Sequence, residues 1–288
     1  MKEYIIVTDS ACDIKPEILE KWGVGFCSLT FRFEGDEKEY SNFDMSALDF
    51  YNKMREGGSA KTAAVNVEGF KTVFEEYVKQ GKDVLYLGFS SGLSTTYNSA
   101  RLAAQELNGE YTENKVVTVD TLSASAGFGL LLYLTVKKKA EGASIDEAAK
   151  YAEELIPHLC HWFTVDDLMY LKRGGRISPT VAFVGNVLGI KPVLHMDNEG
   201  HLINVSKVRG RKTSVEALAR KYDELALTPN EGTVFISHGD CLADAEYLAS
   251  IIKNKYGVET EIITDVGPVI GAHTGPGVLA FFFVGKER

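Results

Sequence analysis

Ser90 stands at the centre of GFSSG (Gly88 to Gly92), which fits the nucleophile elbow of serine hydrolases. That motif places a serine on a sharp turn between a strand and a helix. Here the apolar run VLYLGF precedes it and the helix-like STTYNSARLAAQEL follows. A hydrolase must also supply an acid and a histidine. In the order Ser, Asp, His only Asp265 with His273 is available, since His238 precedes Asp240, and no HGGG-type oxyanion loop lies upstream. An esterase using Ser90 is therefore the alternative reading.

The same turn supports a different chemistry. Three apolar runs end in turns rich in hydroxyls: TDSACD, GFSSGLSTT and DTLSAS. In an open parallel sheet these turns gather along one edge, where ligands bind. Free backbone N–H groups and helix dipoles favour an anion there. Any single serine among them could equally be an ordinary helix cap. No GxxxxGK(S/T) motif occurs and no GxGxxG follows a strand. A polyphosphate is normally met by Lys or by metal-binding carboxylates, whereas neutral hydroxyls and amides suit a single carboxylate.

Three further segments carry candidate chemistry. HLCH (His158 to His161) holds two His and one Cys, but no second cluster completes a tetrahedral metal site, so a surface or hinge segment is expected. LKRGGRIS lets Lys172, Arg173 and Arg176 project around two glycines as a docking or phosphate-recognition element. Its plainer alternative is a helix C-terminus decorated with favourable charge. GPVIGAHTGPG sets His273, flanked by Thr274, in what reads as a rigid loop with four glycines and two prolines. That setting makes His273 a stronger candidate than the other five histidines.

The elements that must position these residues follow from periodicity. YIIVT, FCSLTFRF, VLYLGF and KVVTVD read as strands. Asp13 is a candidate cap for a helix with Pro16 in its first turn. VEGFKTVFEEYVKQG reads as an amphipathic helix ending at Gly81, and SASAGFGLLLYLTVKKKA as a long helix. SIDEAAKYAEELI opens with a capping box of Ser144 and Glu147. This alternation implies an α/β unit with a mainly parallel sheet covered by helices. Near Pro157 the character changes: GIKPVLHMDNEGHLINVSKV reads as two antiparallel strands around the turn DNEG. The expected organisation is an N-terminal α/β domain over 1–157 and a mixed α+β domain over 158–288.

Composition bounds the function. The 288 residues carry a formal net charge of −9, which disfavours a general nucleic-acid binder. No apolar run reaches the length of a membrane span, and the start, MKEYIIVTDS, has too short an apolar run for a signal-peptide core. Cys12, Cys27, Cys160 and Cys241 are scattered without a CxxC pair, which fits a reduced, cytoplasmic protein.

The assembled segments resemble the DegV family. VTDSACDI, SSGLSTTYNSA, VDTLSASAGFGLL, DDLMYLKRGGRIS, GIKPVL, ISHGD and GPVIGAHTGPG match family segments in the expected order, over nearly the whole chain. The resemblance implies a bacterial two-domain protein with a long-chain fatty acid between its domains and no catalytic residue, cofactor or metal of its own. It implies that a separate ATP-using fatty acid kinase subunit phosphorylates the bound carboxylate for phospholipid metabolism, with transient membrane contact. By matching position, Ser94 and Thr62 would hydrogen-bond the carboxylate, with Thr95 and His273 beside them. Arg173, with Lys172 and Arg176, would face the kinase. A regulatory module that senses lipid is a further alternative. The chain departs from the family at Thr95, where Gly is frequent, at KTAAV, where KTSQP is frequent, and at Cys12, where Ser or Thr is usual. Ala63 thus removes a hydroxyl and Thr95 adds one.

Overall fold

The structure is a computed structural model that describes residues 2–177 and 189–288. Four strands, β1 (Tyr4–Asp9), β2 (Val24–Cys27), β6 (Asp83–Gly88) and β7 (Val116–Asp120), form a parallel sheet in the order β2-β1-β6-β7. Successive side chains point to opposite faces. Val7, Val84, Tyr86 and Val116 pack on helices α3 (Val67–Lys79) and α4 (Thr96–Glu110). Ile6, Leu85, Leu87 and Val119 point the other way, into the largest core. The segment FCSLTFRF, expected as one strand, divides between β2 and β3 (Thr30–Phe33). The break has a cause: the buried Leu29 N–H donates to Ser10 Oγ at 2.9 Å, which draws the chain off the parallel sheet. β3 instead pairs antiparallel with β4 (Tyr40–Ser41) and β5 (Ala60–Ala63).

A mixed six-stranded sheet forms from β8 (Leu159–Thr164) onward, in the order β10-β9-β8-β13-β11-β12. Strands β9 (Ile190–Met196) and β10 (Leu202–Arg209) are the expected hairpin. β11 (Val234–His238) runs parallel to β12 (Thr260–Asp265) and antiparallel to β13 (Leu279–Val284). Helices α8 (Arg211–Leu225) and α9 (Leu242–Tyr256) cover one face over Trp162, Ile236 and Phe281. The other face, with Phe163, Leu194 and Phe282, belongs to the same core as Ile6 and Leu85.

The two sheets share a single layer, helix α5 (Ser125–Ala140). Every residue from Ser125 to Leu132 is buried, so the first half of this helix has no solvent face to display an amphipathic stripe. Two glycines two positions apart lie on roughly opposite sides of a helix. A Cβ on Gly127 would overlap His161 and Phe282 of the mixed sheet, and one on Gly129 would lie 2.6 Å from Ile14 Cδ1 beside the β1 turn. Helix α6 (Ile145–Leu155) packs beside α5 and opens with the expected Ser144–Glu147 capping box.

Asp13 does not cap helix α1 (Pro16–Lys21), whose N-cap is Lys15 with no side-chain hydrogen bond. It sits instead in the left-handed region at φ 53° and is buried between the halves of the chain. Its Oδ1 accepts from Gly267 N at 3.0 Å, its Oδ2 accepts from Ser125 Oγ at 2.5 Å, and its carbonyl accepts from Thr264 Oγ1 at 2.9 Å. The carboxyl therefore joins the β1 turn to α5 and to the loop after β12, a use that a cap position would forbid.

Burial pushes Asp13 up to about 7, against hydrogen bonds from Ser125 and Gly267. Burial likewise raises Asp9 to about 6. The folded state then keeps protons that the unfolded chain has lost, so stability falls as pH rises from the ordinary carboxyl range through about 7. Asp13→Asn should flatten that fall. Relative to wild type it should gain about 1–4 kcal/mol at about pH 8 and little at about pH 4 in denaturant titrations. A parallel offset at both pH values would mean that Asp13 stays ionised throughout.

Candidate functional site

A cavity of about 460 Å³ lies where the carboxyl-end turns of the parallel sheet meet the inner face of the mixed sheet. Most of its wall is apolar, with Phe89, Phe163, Leu171, Val269, Ile270 and Phe282 among the lining. Polar groups converge on it from distant parts of the chain. Thr62 comes from β5, Ser94 and Thr95 from the turn before α4, and His273 from α10 (Pro268–Thr274). GPVIGAHTGPG, expected as a rigid loop, is therefore helical through its centre. Pro268 at its first position has the fixed φ that a helix start favours, and Gly275 at φ 75° ends it.

Thr62 Oγ1 lies 2.9 Å from His273 Nε2. Burial, with the Arg176 guanidinium nearby, pushes His273 down to about 4, so the imidazole is neutral at physiological pH. When Nε2–H donates to Thr62, the threonine hydroxyl keeps its own proton for an acceptor in the cavity. Ser94 Oγ lies 2.8 Å from Thr96 Oγ1 and accepts from Thr96 N at 3.2 Å. With Thr96 as the hydroxyl donor, Ser94 likewise keeps its proton. The N-terminus of the 15-residue α4 begins beside them. Its free N–H groups and dipole favour negative charge.

The basic turn splits in two. Lys172 and Arg173 are exposed at the end of α7 (Met169–Arg173), with the Arg173 guanidinium 4.6 Å from the Tyr170 ring centroid. Arg176 does not project with them. It is half-buried, lines the cavity, and donates from Nε to Leu93 O at 3.1 Å and from Nη1 to Gly174 O. Ser178, the last residue of LKRGGRIS, lies outside the described residues.

Ser90 has the opposite fate. Its hydroxyl is fully buried, donates to Gly200 O at 2.9 Å and accepts from Gly92 N at 3.2 Å. It does not line the cavity, and no imidazole bonds it among the described residues. The hydroxyl is a tie between the GFSSG turn and the β9–β10 hairpin, not an activated nucleophile. Of the other serines in these turns, Ser10 accepts from Leu29 N and Ser123 donates to Thr121 O, so both are spent on the backbone.

HLCH is not a surface or hinge segment. Leu159, Cys160 and His161 are buried at the start of β8, inside the six-stranded sheet. No cluster of metal-ligating side chains occurs among the described residues. Strand alternation turns His161 into the cavity and Cys160 to the opposite core. Ser91, Ser125 and His161 are cavity residues that sequence reasoning passed over. The even spacing of Leu159, His161 and Phe163 was the available signal for the histidine.

Gly174 is held against the site by contact. A Cβ there would overlap His273 Nδ1, although the backbone itself is unstrained at φ −69°. Gly174→Ala should therefore cost about 1–3 kcal/mol in thermal or denaturant unfolding, by displacing the imidazole. In a His273→Ala background the same substitution should be nearly neutral, and equal costs in both backgrounds would exclude this contact as the cause.

Comparison with known proteins places this geometry. A family model described as an uncharacterised protein of the DegV family matches residues 3–286. The chain is 46% identical over 291 residues to a DegV domain-containing protein of Clostridium perfringens, covering 100% of this chain and 99% of that one. It is similar in structure to a DegV lipid-binding protein of Thermotoga maritima, with a TM-score of 0.87, 34% identity and 99% of each chain covered. A DegV-family protein of Thermus thermophilus solved for its fatty acid binding gives a TM-score of 0.88 and 30% identity, over 98% of this chain and 99% of that one.

Proposed function

The chain belongs to the DegV family, and from that premise we propose that it binds a long-chain fatty acid in the cavity between its two sheets. The observation that carries this reading is the cavity's polarity: a long apolar wall with neutral hydrogen-bond donors gathered toward one part of it. A carboxylate taken out of water needs such donors, and an acyl chain needs such a wall. Thr62 and Ser94 hold the carboxylate oxygens, Thr95 and the α4 N-terminus lie beside them, and His273 acts through Thr62. Arg176, from the wall, supplies positive charge. The ligand lies between a unit of residues 1–157 and one of residues 158–288.

The protein has no catalytic activity of its own in this reading. It presents the carboxylate to a separate ATP-using kinase subunit in the cytoplasm, which forms the acyl phosphate for phospholipid metabolism. The exposed Lys172 and Arg173, beside the cavity-lining Leu171, form the docking element. The neutral His273, donating from Nε2 to Thr62 Oγ1, is suited to keep that hydroxyl's proton available to a carboxylate and then to an acyl phosphate without changing its own charge.

Native mass spectrometry of protein purified from bacteria should show a bound fatty acid, and a clean apo mass would count against the reading. Removing one donor from a buried carboxylate costs about 1–3 kcal/mol, or roughly five- to 150-fold in affinity. Ser94→Ala and Thr62→Ala should therefore weaken a fatty acid much more than the matching fatty alcohol in direct titrations. Equal losses for acid and alcohol would mean that these hydroxyls shape the pocket without holding charge.

Arg173→Ala should leave fatty acid affinity unchanged and slow phosphorylation by the partner kinase. Loss of lipid affinity with unchanged phosphorylation of bound lipid would reverse its assignment.

A further inference from the structure

The polar end of the cavity holds more donors than a carboxylate needs. Arg176 lies at the junction of the two elements that supply them. Its Nε donates to Leu93 O at 3.1 Å, and Leu93 immediately precedes Ser94. Its Nη1 donates to Gly174 O, and a Cβ on Gly174 would overlap His273 Nδ1. The guanidinium is therefore pinned between the Ser94 turn and the His273 helix, half-buried and lining the cavity. These two ties leave further N–H groups of the planar fork.

Two hydroxyls of the same turn add to it. Thr95 is the N-cap of α4, yet its side chain caps nothing. Thr95 and Ser91 are exposed and line the cavity, whereas Thr62 and Ser94 are half-buried. The donors assigned to the carboxylate are thus the more enclosed ones, and Thr95 and Ser91 lie nearer solvent. Charge is in surplus as well. A fatty carboxylate brings a single negative charge, which the hydroxyls of Thr62 and Ser94 and the N-terminus of α4 already favour. Arg176 adds a full positive charge, and among the described residues no carboxylate in the lining offsets it. Such a site gains from a ligand with more negative charge and more oxygens than a carboxylate has.

We propose that Arg176 and Thr95 are specificity-determining residues that bind the phosphoryl group of an acyl phosphate, so that the chain holds the phosphorylated product more tightly than the fatty acid. The inference rests on the reading above and assigns residues to the product which that reading names. In the transfer, a carboxylate oxygen bonds the γ-phosphorus of ATP as the bond to the β–γ bridging oxygen breaks, and ADP leaves. The bound group thereby gains three acceptor oxygens and about one negative charge. The guanidinium fork matches phosphoryl oxygens, and its charge-assisted hydrogen bonds are stronger than neutral ones. The product is then retained on the protein after the kinase departs.

The test compares stearate with the phosphonate analogue of stearoyl phosphate, in which a methylene replaces the bridging oxygen so that the probe cannot hydrolyse. Both are titrated directly into the purified, delipidated chain. Wild type should favour the phosphonate by about tenfold, the worth of one charge-assisted hydrogen bond. Arg176→Gln removes the charge and should bring the ratio of the two affinities close to unity. Because Arg176 also ties two turns, Thr95→Val serves as a second variant, which keeps the side-chain shape at an exposed position. It should lower the ratio about threefold, and Thr95→Ser should restore it. A wild-type affinity for stearate equal to or above that for the phosphonate overturns the inference and leaves fatty acid binding standing. A ratio unchanged in both Arg176→Gln and Thr95→Val also overturns it. Failure of wild type to bind either ligand overturns the fatty-acid reading, and this inference with it.

Discussion

The burial of α5 between two sheets is the interaction on which the rest of the structure depends. A helix in that position must present apolar surface in every direction, and Ser125 to Leu132 does so. It must also approach both neighbours closely, which Gly127 permits toward the mixed sheet and Gly129 toward the β1 turn. Glycine within a helix costs about 1 kcal/mol relative to alanine, so two of them in one helix are a local loss. The compensation lies in packing, since one continuous core includes Leu85 of the parallel sheet, Leu130 of the helix and Phe282 of the mixed sheet. The halves are thus fused through a shared layer, and the cavity lies where that layer leaves space between them.

Polar ties set the spacing of the same junction. Ser90 reaches Gly200 O, Tyr51 donates to Val266 O at 2.9 Å, and Asn42 Oδ1 accepts from Val269 N at 2.8 Å. Asp13 and Ser125 add a further tie, both in left-handed backbone conformations at φ 53° and 52°. Such conformations persist only where the surroundings fix them, and here both residues are buried and bonded to each other. The hydroxyls of the strand-end turns therefore fall into two classes. Ser10, Ser90 and Ser123 hold backbone, whereas Ser91, Ser94 and Thr95 face the cavity.

The electrostatics of the cavity follow from this frame. The strongly raised carboxyls, Asp9 and Asp13, do not line it; they serve the turns behind it. Its histidines are kept neutral by burial and its hydroxyls are neutral by nature, leaving Arg176 as the cation in the wall among the described residues. Among the described residues, an anion entering it meets donors without a competing carboxylate in the lining. An uncharged tail meets Phe163, Leu171 and Phe282.

Much of the fold was legible because it is written at short range. The change from an α/β to a mixed pattern near Pro157, the β9–β10 hairpin around DNEG, and the Ser144 capping box each depend on neighbouring residues alone. GFSSG and HLCH mark the limit of such reading. GFSSG is a hydrolase elbow in letters, yet Gly200, 110 positions away, takes its hydroxyl. HLCH has the letters of a surface or hinge segment, yet strand pairing places His161 against Phe282 inside a sheet. Asp13 has the position of a cap, because a short carboxylate before Pro16 usually is one, but Gly267 and Ser125 hold it elsewhere. The sequence by itself determined element types and the chemistry on offer, since propensity, capping and periodicity act within a few residues. Tertiary structure decided which hydroxyl faces a ligand and which holds a turn, because a side chain's role is set by the partner that packing brings within about 3 Å, and those partners lie far away along the chain.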